Sequence, residues 1–138
     1  MNGFVLDCSV AVSWCFEDEA AEETDALLER ARDEGALVPA LWHLELGNVL
    51  LQAERRGRLN AADVTTRLAL IGDLPILTDG ETSLRALRET LTLARAETLT
   101  TYDAAYLELA IRRGLPLATK DRSLQVAARR MGLKTLPD

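Results

Sequence analysis

The sequence predicts an α/β protein, a three-layer α/β/α sandwich with a mostly parallel central sheet, in a single domain over residues 1–138. Short apolar runs of the kind found in buried parallel strands alternate with longer segments of helical periodicity, which is typical of this class. No repeat, linker or low-complexity stretch interrupts the alternation. A chain of 138 residues is also long enough for one domain with a sizeable core.

The first predicted elements are a strand and two helices. Residues 3–6 form a continuous apolar run, which indicates a buried strand that ends before Asp7. A short helix is expected over residues 10–16. A longer helix is expected over residues 17–34, because its opening acids suit the helix dipole and Asp18 can act as its N-cap.

A second strand is predicted over residues 36–39, and two helices follow it. The first, over residues 41–56, carries an apolar stripe at helical spacing. The stripe consists of Leu46, Val49, Leu50 and Ala53. The second helix is expected over residues 61–74, with Asn60 as its N-cap.

The remaining elements continue the alternation. A strand over residues 75–78 precedes a helix over residues 81–96, and a strand over residues 115–119 precedes a helix over residues 122–131. An edge strand is expected over residues 133–136. One further helix lies between these pairs, and the functional hypothesis depends on it.

That helix is expected to begin at an acid, Asp103, which heads its apolar face, and to end at Gly114. Five residues fall at positions i, i+3, i+4, i+7 and i+8, which share one helical face. They are Asp103, Tyr106, Leu107, Ala110 and Ile111. Because the other four are expected to be buried, Asp103 should point into the fold or into a cleft, where an unpaired carboxylate is costly.

Three further acids are expected at the same edge of the sheet. Asp7 and Asp121 each follow a predicted strand, and ligands of such sheets bind outside the carboxyl ends of the strands, where the strand order reverses. Glu45 lies one turn into the helix after the second strand and can reach that edge. Taken singly, the aspartates could be helix caps and Glu45 could form a surface salt bridge, but one fold would bring all four together.

A cluster of four carboxylates indicates a cation. Two carboxylates about 4 Å apart repel each other by roughly 4 kcal/mol at an effective dielectric constant of about 20. Acids in one crevice would therefore take up protons or bind a positive ion. Oxygen ligands without His or Cys suit Mg²⁺ or Mn²⁺, which activate water and stabilise a phosphoryl group during in-line attack.

Composition argues against several other functions. A net charge of −6 and an aromatic content of 4% disfavour non-specific polyanion binding and base-stacking platforms, although residues 101–138 carry seven Lys or Arg and four Asp or Glu. No apolar run approaches the length of a membrane span and no signal peptide is recognisable, so a cytoplasmic location is expected. Cys8 and Cys15 are expected to be small buried thiols.

Four pieces of sequence surround the predicted acids. They are Val5–Ser9 with Trp14 following, Glu45–Leu50, Tyr102–Leu107 and Leu117–Asp121. In this order and spacing they resemble the PIN-domain ribonucleases, and specifically the VapC-like toxins of bacterial toxin–antitoxin pairs. The resemblance runs over nearly the full length of the chain. It implies an RNA substrate, a homodimer and a small antitoxin protein that blocks the site.

The resemblance also implies roles for single residues. The catalytic and metal-binding carboxylates would be Asp7, Glu45, Asp103 and Asp121. Ser9 and Thr119 would add hydroxyls that orient a carboxylate or a metal-activated water, and Asn48 would support these ligands. Basic side chains of the C-terminal third are either contacts to RNA phosphates or ordinary solvated helix charges. They are Lys120, Arg122, Arg129 and Arg130.

The predicted function is a Mg²⁺- or Mn²⁺-dependent endoribonuclease in which a metal-activated water attacks a phosphodiester of structured RNA. Two other classes stay open. A receiver-type or phosphatase-type domain also gathers acids and Mg²⁺ at strand ends, but Ser9 stands where such a phosphatase needs a second Asp, and Asp79 lies in a predicted turn. A non-catalytic interaction module, in which the acids are caps, would bind no specific divalent ion.

Overall fold

The computed structural model describes residues 3–137 and shows a five-stranded sheet with helices packed on both faces. The strands are Phe4–Leu6 (β1), Ala36–Val38 (β2), Ile76–Thr78 (β3), Leu117–Ala118 (β4) and Thr135–Leu136 (β5). Each strand lies within the range predicted from its apolar run. The predicted fold class is confirmed, and every strand pair is parallel.

The strand order β3-β2-β1-β4-β5 places β1 in the centre of the sheet. Val5 on β1 lies opposite Leu37 on β2 at one side and opposite Leu117 on β4 at the other. The chain adds β2 and β3 on one side of β1 and then crosses to the other side, so the strand order reverses between β1 and β4. In open parallel sheets such a reversal opens a crevice at the carboxyl ends of the strands. Asp7 and Thr119 directly follow those two strands.

Eight α-helices connect the strands within the described range. They are Cys8–Cys15 (α1), Glu22–Glu34 (α2), Trp42–Arg55 (α3), Ala61–Gly72 (α4), Thr82–Ala86 (α5), Glu89–Glu97 (α6), Thr101–Arg113 (α7) and Arg122–Arg130 (α8). None of them has both the length and the apolar character that crossing a membrane requires. Cys8 and Cys15, at the two ends of α1, are buried free thiols, as predicted.

The predicted helix over residues 17–34 is wrong at its start. Glu17–Glu19 form a separate 3₁₀ turn, and α2 begins only after two extended residues. Asp18 does not cap α2, because its carboxylate accepts a hydrogen bond from Arg58 over 2.7 Å. Arg58 lies in the connection between α3 and α4 and also pairs with Glu19. The turn is therefore bound to a distant loop, a contact that local propensity does not reveal.

The single helix predicted over residues 81–96 is wrong as well, since α5 and α6 are separated by a break at Arg88 (φ −122°, ψ −104°). Thr82 anchors α5 to the ends of β2 and β3, because its hydroxyl accepts a bond from the Ala40 amide and donates one to Asp79. The next helix, α6, instead packs along α7. One straight helix cannot make both sets of contacts.

α7 contains the longest run of consecutive buried residues among the described helices. All seven residues from Ala104 to Ala110 are buried, since the sheet lies on one side of the helix and α6 and α8 pack against others. The predicted apolar face is confirmed for Tyr106, Leu107 and Ala110. It is wrong for Ile111, which lies at the edge of the buried region and is 43% exposed.

Hydrogen bonds at the helix N-termini show which of the predicted acids act as helix caps. Asn60 caps α4, as predicted. Asp121 caps α8, because its Oδ1 accepts a hydrogen bond from the Leu124 amide over 2.9 Å. α7 is capped by Thr100, whose hydroxyl accepts a bond from the Asp103 amide over 3.1 Å. The interpretation of Asp103 as a cap is therefore wrong, and its carboxylate is left for another partner.

Candidate active site

Asp7 is the most buried of the four predicted acids, with 6% of its surface exposed. Its Oδ2 accepts hydrogen bonds from Ser9 Oγ over 2.7 Å and from Thr119 Oγ1 over 2.6 Å. Burial raises the pKa of Asp7 above its ordinary value of 3.8; the two hydroxyl bonds counteract this, and the charge of Asp121 adds to the increase. Both hydroxyls bind the same oxygen, so Oδ1 is clear of them.

Ser9, in the first turn of α1, and Thr119 also bind the two chain segments that meet at the strand-order reversal. Ser9 Oγ accepts a hydrogen bond from the Lys120 amide over 2.9 Å, and Thr119 Oγ1 accepts one from the Asp121 amide over 3.0 Å. Each hydroxyl donates its single proton to Asp7 and accepts from the backbone. The loop after β4 is thus bound to the segment after β1 through the hydroxyls that orient Asp7.

Glu45 reaches the same crevice from the first turn of α3. Its Oε1 accepts a hydrogen bond from the hydroxyl of Tyr106, a completely buried residue of α7. Burial raises the pKa of Glu45, the Tyr106 bond lowers it, and the charges of Asp7 and Asp103 raise it further. Burial and the bond to Glu45 also raise the pKa of Tyr106, so the phenol stays a neutral donor. Glu45 forms no salt bridge within the described residues.

Asp103 and Asp121 complete the group. Asp103 lies in the first turn of α7 and is partly buried, and burial followed by the charges of Asp121 and Asp7 raises its pKa. Asp121 is exposed and uses one carboxylate oxygen, Oδ1, as the cap of α8. Asp121 therefore caps α8, as the alternative interpretation predicted, and it also lies beside the other acids.

The four acids influence one another's charge although they come from separate parts of the chain. The pKa of Asp7, Glu45 and Asp103 is in each case raised first by burial and further by another member of the group. They do not form a closed cage: across residues 3–137, no three His, Cys, Asp or Glu side chains are close enough together to hold a metal ion. The residues suit Mg²⁺ or Mn²⁺ because their donor atoms are carboxylate oxygens. A cation would also relieve the repulsion between the desolvated carboxylates.

Asn48 stands apart from the acids. It is exposed on α3, three residues after Glu45, and lines a surface cavity together with Gln52 and Arg56. Within the described range no hydrogen bond joins the Asn48 side chain to the acids. Its predicted supporting role remains a prediction.

The predicted RNA-binding cations fall into two pairs. Lys120 and Arg122 are exposed and flank Asp121 in the chain. The other pair, Arg129 and Arg130, lies in the last turn of α8, at the opposite end of that helix. Arg129 donates a hydrogen bond to a threonine of β5 over 3.2 Å, and Arg130 pairs with a glutamate of α6 at 3.4 Å. Only the first pair stands beside the acids.

Two polar contacts of the site were not anticipated from the sequence. The helical periodicity places Tyr106 only on the apolar face of α7. A buried tyrosine hydroxyl usually needs a hydrogen-bond partner, and this need is a signal in the sequence for such a contact. Gln125 donates its side-chain amide to the Thr119 carbonyl over 2.9 Å and so supports the loop after β4. No local pattern indicates this second contact, because it depends on how α8 docks.

The carboxylate of Asp79 is not free, because it is bound to Arg112. Both of its oxygens accept hydrogen bonds from the Arg112 guanidinium, at 2.7 and 3.1 Å, and Arg112 also binds Glu108. Burial by itself would raise the pKa of Asp79, but the hydrogen bonds and charge of Arg112 outweigh it and the pKa is lowered. The strand order also differs from the 2-1-3-4-5 order of receiver domains. Both observations argue against the receiver alternative.

The sheet order and the acidic crevice agree with the result of a family comparison. The chain matches the PIN domain over residues 4–130 and belongs to this family. PIN domains are generally nucleases. A comparison with curated protein sequences finds no match.

Two solved structures show the same fold. PAE2754 from Pyrobaculum aerophilum is 25% identical, with a TM-score of 0.71 over 97% of this chain and 90% of that protein. FitAcB from Neisseria gonorrhoeae is 19% identical, with a TM-score of 0.62 over 96% of this chain and 95% of that one. At 19% identity the similarity to FitAcB concerns the fold alone.

Proposed function

We propose that this chain is a Mg²⁺- or Mn²⁺-dependent endoribonuclease that hydrolyses phosphodiester bonds of RNA. The observation that carries the proposal is the convergence of Asp7, Glu45 and Asp103 at the carboxyl ends of the strands, where burial and the charge of neighbouring acids raise the pKa of each. Ion-pair networks also perturb pKa values, but Asp7, Glu45 and Asp103 have no cationic partner among the described residues. They lie near the carboxyl ends of the strands where the strand order reverses, which is where a parallel sheet of this kind binds ligands.

The ion would be held by carboxylate oxygens. Asp7 and Asp103 would bind the principal ion, and Asp121 and Glu45 would complete the site or hold a second one. Ser9 and Thr119 keep Asp7 in one orientation, and Lys120 and Arg122 would bind RNA phosphates beside it. When bound, the ion supplies a water nucleophile at neutral pH and neutralises charge on the phosphoryl group.

The biological role proposed is that of a toxin in a toxin–antitoxin pair, located in the cytoplasm. This part of the proposal rests on the sequence resemblance to the VapC-like toxins, as do the homodimer and the small antitoxin partner. The RNA target would be selected by surface shape and a few basic residues rather than by the carboxylates.

A thermal melt of chelator-treated protein with and without Mn²⁺ tests the metal site directly. A ligand at about 100 times its dissociation constant stabilises the native state by roughly 2.7 kcal/mol, which corresponds to several degrees for a domain of this size. The wild type is expected to show this rise, and Asp103→Asn is expected to lose it. Asp33→Asn, which changes an exposed acid of α2, is the matched control and should behave as the wild type.

Cleavage of a pool of structured RNAs in Mn²⁺ then tests the reaction. Asp103→Asn should be folded and inactive, and Asp33→Asn should be active. A wild type whose melting temperature does not respond to millimolar Mn²⁺ would overturn the proposal and favour a non-catalytic interaction module.

A further inference from the structure

Hydroxyl groups donate hydrogen bonds to two of the four carboxylates of the site, and they do so in the same way. Ser9 and Thr119 both donate to one oxygen of Asp7, Oδ2. The hydroxyl of Tyr106 donates to one oxygen of Glu45, Oε1. In each case one carboxylate oxygen is bound by the protein and the other is not bound by those hydroxyls.

Tyr106 is held rigidly enough to act as a fixed donor. It is fully buried on α7, and every neighbour from Ala104 to Ala110 is buried too. The phenol ring cannot swing away without disturbing the core, since interiors are close-packed. Its hydroxyl is therefore a donor at a fixed position, and the carboxylate of Glu45, 61 residues away in the chain, is bound there.

Glu45 needs such an anchor more than the aspartates do. Its carboxylate stands at the end of a side chain with three rotatable bonds, on the first turn of α3, and no salt bridge within the described residues restrains it. Asp7 has a shorter side chain and two hydroxyl donors. A cation site gains affinity when its ligands are oriented before the ion arrives, and partners one layer out provide this orientation.

We propose that Tyr106 is a positioning residue of the divalent-ion site, which holds Glu45 by Oε1 so that Oε2 is presented to the ion. The inference rests on the proposed function and assigns a role in it to a residue of the hydrophobic core. The competing interpretation is a core tyrosine whose hydroxyl merely finds a convenient acceptor. The two differ in what the loss of the hydroxyl does to ion affinity.

The test is Mn²⁺ binding to the full chain, measured by titration calorimetry after chelator treatment, for the wild type and Tyr106→Phe. The substitution removes one oxygen and keeps the ring, so the core is retained. Loss of such an outer partner typically costs 10–100-fold in metal affinity, and a loss of at least about tenfold is expected. Tyr102→Phe is the matched control, because it makes the same change on the same helix at a residue that is 65% exposed.

A double-mutant cycle separates positioning from a general effect on packing. In a Glu45→Gln background, Tyr106→Phe should cause little further loss of Mn²⁺ affinity, since the ligand that it orients is already gone. Crystal structures of the metal-free wild type and Tyr106→Phe supply a readout that does not depend on the ion. The Glu45 carboxylate should leave its position only in the variant.

The outcomes distinguish this inference from the proposed function. Wild-type binding with an unchanged Tyr106→Phe affinity overturns the positioning role and leaves the metal site intact. An equal loss from Tyr106→Phe in both backgrounds also overturns it, because the effect would not pass through Glu45. No binding by the wild type overturns the metal site itself, and the role of Tyr106 with it.

Discussion

Thr119 Oγ1 donates a hydrogen bond to Asp7 Oδ2 over 2.6 Å, although 112 residues separate them in the chain. The bond crosses the point at which the strand order reverses, between the ends of β1 and β4. The same hydroxyl accepts a bond from the Asp121 amide. One buried threonine thus orients one acid of the site and fixes the loop that carries another.

Thr119→Val should remove both effects while keeping the shape of the side chain. A buried acceptor that loses its donor costs about 1–3 kcal/mol, so the free energy of unfolding in urea should fall by this amount. Mn²⁺ affinity should fall too, because Asp7 loses a restraint. Thr135→Val on the neighbouring strand β5 is the control: its hydroxyl binds Arg129 and no acid of the site. Equal losses of Mn²⁺ affinity in both variants would contradict the role of Thr119.

Asp7→Asn should stabilise the metal-free protein at neutral pH. The pKa of Asp7 is raised in the native state, so between the ordinary value of 3.8 and the raised value the native state binds more protons than the unfolded state. The free energy of unfolding therefore falls as pH rises through that window. Above it the ionised carboxylate costs about 1.4 kcal/mol for each unit of pKa difference.

Urea unfolding of wild type and Asp7→Asn in chelator, from pH 4 to pH 8, measures this difference. The variant should be the more stable protein near pH 7, and the gap should narrow towards pH 4. Adding Mn²⁺ should stabilise only the wild type. A variant that is less stable than the wild type at pH 7 without divalent ions would show that burial does not penalise the Asp7 charge.

Asp79→Asn should have the opposite pH dependence. Although burial favours the neutral form, Arg112 lowers the pKa of Asp79 below 3.8, so the ion pair contributes stability above that value and loses it as pH falls through the lowered pKa. Breaking one side of a buried pair costs about 3–5 kcal/mol. That loss is expected at pH 7 and should shrink in acid.

Glu81→Gln is the matched comparison for this cluster. Glu81 also binds Arg112, at 3.2 Å, but it is exposed, and exposed pairs contribute about 0.2–1 kcal/mol. Chemical denaturation should therefore show a larger difference between the two variants at pH 7 than at pH 3. Similar losses at pH 7 would mean that Arg112 does not depend mainly on Asp79.

Lys120→Gln and Arg122→Gln should each weaken RNA binding in a salt-dependent way. Each phosphate contact to a single strand contributes about 0.7 to the slope of log affinity against log salt, so each variant should reduce the slope by about that amount. Binding is measured in chelator to prevent cleavage. Arg130→Gln is expected to leave the slope unchanged, because Arg130 lies at the far end of α8 and pairs with Glu97. Equal changes of the slope in all three variants would mean that RNA also contacts the far end of α8.

The strands were predictable from the sequence because each is a short apolar run, and burial on both faces of a parallel sheet leaves that signature whatever the contacts are. The acids were predictable for a related reason: Asp7 directly follows β1 and Asp121 lies in the loop after β4, so the fold class alone places them at one edge. Helix breaks were not predictable in this way. The 3₁₀ turn that contains Asp18 is bound to Arg58, which lies 40 positions away in the chain.

By itself the sequence determined the fold class, the strand positions and which carboxylates share an edge, since these follow from periodicity and from the direction of parallel strands. Only the tertiary structure decided what each acid does there. It placed the Tyr106 hydroxyl on Glu45 and the Thr119 hydroxyl on Asp7. Hydrogen bonds depend on distances of a few ångströms between residues far apart in the chain, and such distances exist only once the helices have docked.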